Sequence, residues 1–273
     1  MKGYDLLERL LGAKLTKYER DLLPRRWQIL GDLVLVNIPS AIAHHKREIG
    51  DALLEIYPRC KSVLWDKGVQ GSLRTPHVEV IAGSGTKTEH KENYCKFALD
   101  ASRVMFCAGN FSERLRMSKV GSNERVLDMF SGIGQLSIPM AVHAHPQLIV
   151  AVELNAIAYG FLRQNVVLNK VRHIVQPLRG DCRDVTPNEQ FDRIIMGHFD
   201  ARDYLSAALR ALSPGGVLHY HELTPSELMH KRPGAHIESA AAAGARSVDR
   251  LETQKVKDYA PGIAHVVVDA TIS

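Results

Sequence analysis

The sequence predicts an α/β protein, with a sheet of about seven strands built from βαβ units and ending in a hairpin, preceded by a small α+β domain. Three observations predict it. From Arg125 onward, strand-like and helix-like runs alternate at βαβ spacing. A glycine turn, Gly132-Ile133-Gly134, follows the first of those strands and opens a helical run. Before Gly121-Ser122 the texture differs, with short β-rich runs set between helical patterns and punctuated by Gly, Ser and Thr. The boundary is therefore expected at Gly121-Ser122, giving a domain over 1–121 and another over 122–273.

In chain order, residues 4–13 carry a helical period. Leu33–Ile38 is β-rich and bounded by Gly31 and Pro39, and residues 41–57 have helical spacing that stops before Pro58. Lys61–Trp65, His77–Ala82 and Tyr94–Leu99 read as short strands, and Val104–Phe106 as a weaker one. Residues 111–120 read as a helix. The second domain is expected to place strands at 126–130, 148–153, 174–178, 191–196 and 217–221, with helices over 134–143, 155–169, 201–212 and 225–243. A last strand near 247–256, a turn at Ala260-Pro261-Gly262 and the β-branched run 265–270 form a closing hairpin.

Composition narrows the class. The chain has 273 residues and is 45% hydrophobic, enough for a substantial core and too much for wholesale disorder. No apolar run approaches the roughly 20 residues of a membrane helix. The N-terminus reads as an amphipathic helix rather than a signal peptide, and no membrane partner is expected. Cys60, Cys95, Cys107 and Cys182 form no CxxC pair, so no metal site is expected and the thiols read as reduced, in a cytoplasmic protein. The net charge is +5. Residues 1–122 hold 20 Lys and Arg against 14 Asp and Glu, so the positive excess lies entirely in the first part. A polyanion such as nucleic acid is a fitting partner for it.

The chemistry-bearing motif is Val126-Leu127-Asp128-Met129-Phe130-Ser131-Gly132-Ile133-Gly134, between a strand and a helix. The next strand ends in Glu153, 21 residues after Gly132, where a carboxylate accepts hydrogen bonds from ribose hydroxyls. Two cofactors fit that geometry, a dinucleotide and S-adenosylmethionine. The dinucleotide pattern lacks its third glycine, because Ser137 stands there. The acids Asp128, carried by the first strand before the turn, Glu153, ending the second, and Asp181, following the third, favour S-adenosylmethionine.

The pattern Leu-Asp-x-Phe-x-Gly-x-Gly resembles motif I of the class I S-adenosylmethionine-dependent transferases, which implies a Rossmann-like seven-stranded sheet. More specifically, the chain is similar to the tRNA wybutosine-synthesis 3-amino-3-carboxypropyltransferases and, less closely, to the tRNA guanine-37 N1-methyltransferases. The segments that carry this resemblance are Val104–Asn110 with Glu113–Met117, Ile195-Met196-Gly197-His198, His219-Tyr220-His221-Glu222, and the tail Val256–Gly262 with His265–Ala270. It covers roughly residues 22–273.

The resemblance implies that Cys107 and Arg114 contact the amino-acid end of S-adenosylmethionine. Asp128, Gly132 and Gly134 would shape the turn, Glu153 would hold the ribose, and Asp181 with the Cys182 backbone the adenine. Cys107 departs from the family's usual Ser, and His198-Phe199-Asp200 departs from its aromatic-His pattern. The implied reaction moves the 3-amino-3-carboxypropyl group to C7 of 4-demethylwyosine at position 37 of tRNA-Phe, in the anticodon region. Candidates for the base that takes the C7 proton are His198, Asp200 and His221. Arg25, Arg26, Lys46, Arg47, Arg59 and Lys61 are candidate phosphate contacts, with Trp27 or Tyr94 stacking on a base. The alternatives are a tRNA guanine-37 N1-methyltransferase, a non-catalytic tRNA-binding relative and an NAD-dependent oxidoreductase.

Overall fold

The structure, a computed structural model, describes residues 3–71 and 73–273. It divides into two compact units, Met1–Ala108 and Gly109–Ser273. The expected boundary at Gly121-Ser122 falls inside the second unit, beyond its first helix.

The first unit begins with α1 (Gly3–Leu11) and α2 (Lys17–Asp21). A capping box starts α2: Glu19 N–H donates to the Thr16 hydroxyl, and Thr16 N–H donates back to the Glu19 carboxylate at 2.8 Å. A four-stranded sheet follows, in the order β1 (Trp27–Leu30), β2 (Leu33–Val36), β3 (Ser62–Gln70), β4 (Thr75–Gly83). A 3-10 turn over Ser40–His45 leads into α3 (Lys46–Ile56), which crosses from β2 to the parallel strand β3. Leu7, Leu53, Val34 and Val63 are fully buried in this unit's core. β5 (Lys87–Glu92) and β6 (Cys95–Asp100) form a separate hairpin. Val104–Phe106 is not a strand. The Asp100 carboxylate accepts from Ser102 N–H at 3.0 Å, and its carbonyl from Val104 N–H at 3.0 Å, which turns the chain and breaks the extension.

The second unit starts with α4 (Phe111–Met117). Its sheet contains β7 (Arg125–Asp128), β8 (Leu148–Glu153), β9 (Val175–Arg179), β10 (Phe191–Met196), β11 (Leu212–Pro225), β12 (Val248–Ala260) and β13 (Ile263–Ile272). The strand order is β12-β13-β11-β10-β7-β8-β9, and β13 runs antiparallel to β11. The helices are α5 (Ser137–His143), α6 (Ala156–Leu168), α7 (Cys182–Val185), α8 (Leu205–Ala211) and α9 (Arg232–Ala243). The two sheet faces bury separate clusters, one holding Leu127, Val150 and Tyr220, the other Val126, Ile149 and Leu162. This is the seven-stranded, Rossmann-like α/β architecture the sequence predicts. The order reverses between β7 and β10, which makes the crevice beyond their carboxyl ends the natural binding position.

Several expected spans shift, the following two among them. The helix expected from 225 begins at Arg232, because β11 stays paired with β13 from Gly216↔Ile272 to Pro225↔Ile263. The helix expected from 134 begins at Ser137, because the turn before it takes up residues 131–136.

Candidate functional site

The glycine turn is fixed from both sides. Gly132 and Gly134 have φ of +57° and +92°, where a side chain is strained. A Cβ on Gly132 would meet nothing closer than 3.9 Å, so the surface above it is open. A Cβ on Gly134 would lie 2.6 Å from Ile138, so this glycine serves the packing of α5 and α6. Ser131 Oγ donates to the Val152 carbonyl at 2.9 Å, and Asn165 Nδ2 on α6 donates to the Ile133 carbonyl at 3.1 Å. Asn165 is fully buried and escaped the sequence reading, since a lone Asn in a helical pattern carries no signal.

Asp128 ends β7 almost fully buried. Ser137 Oγ–H donates to one of its oxygens, and Phe130 N–H to the other at 3.3 Å. Burial pushes its carboxyl up to about 7, against those hydrogen bonds. Asp128 therefore holds the turn together from below rather than facing solvent. Glu153 ends β8, half-buried. Gly132 N–H donates to Oε2 and Asn155 N–H to Oε1, each at 2.7 Å. Burial raises this carboxyl too, against the donated hydrogen bonds.

Asp181 follows β9 as the N-cap of α7, and its Oδ1 accepts from Arg183 N–H at 2.9 Å. The Arg183 guanidinium also donates to it, at 3.0 and 2.6 Å, and holds the carboxyl below its usual range. Cys182 is buried, which pushes its thiol up to about 12, so it is a neutral thiol. Arg183 lies 4.4 Å over the Tyr204 ring. Tyr204 in turn meets Phe130 edge-on at 5.1 Å, and His198 lies against Phe130 at 5.4 Å. Phe130, His198 and Tyr204 thus make an aromatic wall at the carboxyl ends of β7 and β10. Arg183 and Tyr204 were missed from sequence because their meeting depends on α7 and α8 packing.

Arg114 is only 2% exposed, on α4. Its helix is tied into the sheet by a partly buried ion network. Arg116 donates to Glu113 at 2.7 and 2.8 Å, and to Asp269 at 2.5 and 3.3 Å. Asp269 accepts from His219 Nδ1 at 2.5 Å, and His219 Nε2 accepts from Arg193 at 2.6 Å. Burial alone would raise Asp269; His219 and Arg116 hold it down to about 2. Both ring nitrogens of His219 are used, so it is a satisfied neutral imidazole.

The three candidate bases have different surroundings. His221 is 2% exposed and hydrogen-bonded to His265 at 3.0 Å; burial first, then His219 and Arg116, push it down to about 3. His198 is half-buried, and its Nδ1 accepts from Asp200 N–H at 3.1 Å, which places the ring proton on Nε2. Asp200 is exposed. Asp128, Gly132, Gly134, Glu153, Asp181, Cys182, His198 and Asp200 all lie at or just beyond the carboxyl ends of β7 to β10. His221 lies within β11, and Cys107 belongs to the first unit, where it is half-buried. A cavity of about 760 Å³ between α6 and β9, lined by Tyr159, Arg163 and His173, holds none of these residues.

Of the expected phosphate contacts, Lys46 is paired with Glu79 at 2.5 Å and Lys61 with Asp32 at 3.0 Å. Trp27 donates to the Tyr57 hydroxyl at 3.0 Å and packs against the first core, so it is not presented for stacking. Tyr94, 93% exposed at the β5–β6 tip, is.

Two family models match the chain, the TRM5/TYW2 methyltransferase domain over residues 88–249 and the TYW2 N-terminal domain over residues 7–86. A tRNA(Phe) (4-demethylwyosine(37)-C(7)) aminocarboxypropyltransferase from Methanocaldococcus jannaschii is 38% identical, over 90% of this chain and 97% of the relative. Its counterpart from Pyrococcus horikoshii is 34% identical, over 98% of this chain and 95% of the relative. The solved structure of P. horikoshii TYW2 in complex with MeSAdo matches with a TM-score of 0.86 at 33% identity, over 98% of both chains. The chain therefore belongs to the TRM5/TYW2 family and carries that family's TYW2-type N-terminal domain.

Proposed function

We propose that this chain transfers the 3-amino-3-carboxypropyl group of S-adenosylmethionine to C7 of 4-demethylwyosine at position 37 of tRNA-Phe, in wybutosine biosynthesis. The observation that carries the reading is the near full-length likeness to relatives named for this transfer.

The residues present fit the donor. The open surface above Gly132 leaves room for a ligand close to the backbone, beside the Glu153 carboxylate that suits ribose hydroxyls. Asp181 suits the adenine amino group, and the Phe130–Tyr204 wall its ring. Arg114 suits the donor's carboxylate. Asn110, four residues earlier, has a buried Oδ1 without a hydrogen-bond partner among the described residues, which suits an ammonium. Cys107 belongs to the first unit, and its thiol is a weak hydrogen-bonding group, so its side chain is given no part in holding the donor.

When bound, S-adenosylmethionine supplies a γ-carbon made electrophilic by its sulfonium; C7 bonds to it as the carbon–sulfur bond breaks, and 5′-methylthioadenosine leaves. The protein's part is mainly positioning. Arg114, itself buried on α4, fixes the carboxylate so that the γ-carbon rather than the methyl faces the nucleophile. Of the candidate bases, exposed Asp200 suits removal of the C7 proton. His198, with its proton on Nε2, suits donation to the acceptor, and His221 is too buried to reach it.

The substrate is tRNA, and we place the anticodon region against the N-terminal unit. Residues 1–108 hold 17 Lys and Arg against 13 Asp and Glu, a charge that suits phosphates. Among the described residues no helix is long and apolar enough to cross a membrane. With four free cysteines, the reading is a cytoplasmic enzyme.

The test uses tRNA bearing 4-demethylwyosine and S-adenosylmethionine labelled in the carboxyl or the methyl group. Carboxyl label in RNA with release of methylthioadenosine is expected. Entry of the methyl label alone would replace the proposal with guanine N1-methylation, and entry of neither with a binding role.

A further inference from the structure

The first unit holds a cluster that the transfer reaction does not use. Glu19 on α2 and the adjacent His44 and His45, which end the 3-10 turn before α3, converge on one point. His44 Nε2 lies 3.1 Å from Glu19 Oε1, and His45 Nε2 lies 3.4 Å from the same oxygen. The three ligand atoms all lie within 4.8 Å of one another. A tetrahedral zinc ion, with ligands at about 2.0–2.1 Å, separates them by about 3.3 Å.

The surroundings fit such a centre. Glu19 Oε2 is occupied, accepting from Thr16 N–H and Thr16 Oγ–H at 2.8 Å each, so the carboxylate is held with Oε1 turned to the imidazoles. His45 Nδ1 faces Glu48 Oε1 at 3.8 Å. That separation is too long for a hydrogen bond, but the negative charge favours the proton on Nδ1, which leaves the Nε2 lone pair for the metal. The imidazole rings lie 4.2 Å apart and tilted by 45°, so both nitrogens reach one point without overlap. The His45 and Glu19 side chains are 18% and 19% exposed, whereas His44 is 60% exposed, which leaves the fourth position to water.

We propose that Glu19, His44 and His45 bind one divalent cation of the zinc class, stapling α2 to the turn that leads into α3. Such a site has three protein ligands and one exchangeable position. Because the folded unit alone assembles it, the cation stabilises the fold by mass action.

The test uses the full-length, tag-free chain freed of metal by chelation. Cobalt(II) and zinc(II) are titrated separately by absorption and calorimetry, and Tm is followed against zinc concentration. One equivalent of cobalt with tetrahedral d–d bands is expected, displaced by zinc, and Tm should rise with zinc. His44→Ala and Glu19→Gln should each weaken binding at least about tenfold. Glu19→Gln retains the capping box, because Gln serves at that helix position, so its metal-free Tm should stay near the wild type. Wild-type binding no tighter than that of the two variants would overturn the proposal and leave simple imidazole–carboxylate hydrogen bonds.

Discussion

Gly132 donates its backbone N–H to Glu153 Oε2 at 2.7 Å, joining the turn after β7 to the end of β8. Asn155 N–H takes the other oxygen at 2.7 Å, so the carboxylate is oriented before any ligand arrives. Hydrogen bonds to a charged group contribute about 1.5–3 kcal/mol. Glu153→Gln should therefore weaken binding of S-adenosylhomocysteine by roughly 10- to 150-fold, with little change in the circular dichroism spectrum. Calorimetry checks it, and undiminished affinity removes Glu153 from the ribose.

Arg114 should discriminate between two ligands. S-adenosylmethionine carries the carboxylate assigned to it, and 5′-methylthioadenosine does not. Arg114→Lys should lower affinity for the first by roughly 10- to 100-fold, the scale of one bidentate charged contact, and leave the second unchanged. Equal losses for both would mean that the guanidinium only supports the fold.

The buried histidine pair makes stability sensitive to acid. His221 and His265 both lie near 3, pushed down first by burial, so they stay neutral in the folded chain at pH 5. Unfolding exposes them at their ordinary value near 6.5. The unfolded state then binds more protons, and stability falls as pH drops from about 6.5 toward 3. Thermal melts from pH 7 to pH 4 should show a steeper loss for the wild type than for His221→Leu/His265→Leu. Parallel curves would place the acid sensitivity elsewhere.

Tyr94 is the exposed aromatic of the N-terminal unit whose cost is visible. It sits at φ +60°, after Asn93 at +45°, in the two-residue turn between β5 and β6. A Tyr there costs about 1 kcal/mol that a glycine would avoid. Tyr94→Gly should raise Tm slightly yet increase KM for tRNA by roughly 5- to 150-fold, the range of one lost base stack, while Tyr94→Phe keeps it. An unchanged KM in the glycine variant would show that the ring does not touch RNA.

The sheet was legible because its signals are local. Near-continuous apolar runs, as in Leu148–Glu153, mark buried parallel strands, and glycines mark the positive φ that the turn requires. Asp128, Glu153 and Asp181 could be read together because the first two end their strands and the third follows its strand by two residues. The β1 strand, Trp27–Leu30, was not legible: four residues with one fully buried carry too little period. The β5 strand, LysThrGluHisLysGlu, is mostly charged or polar and is made a strand by its pairing with β6.

By itself, then, the sequence determined the α/β class, the glycine turn with its ladder of acids, and the positive first part. Those depend on residue type and spacing along the chain. Tertiary structure decided which of these residues are buried and which stay open at the surface. It buried Asp128 as a support for the turn, sealed His221 against His265, and left Asp200 exposed. It drew Glu113, Arg116, Asp269, His219 and Arg193 into one network spanning α4, β10, β11 and β13. Burial and charge pairing are set by neighbours more than a hundred positions away, as for Arg116 and Asp269, and no local pattern encodes them.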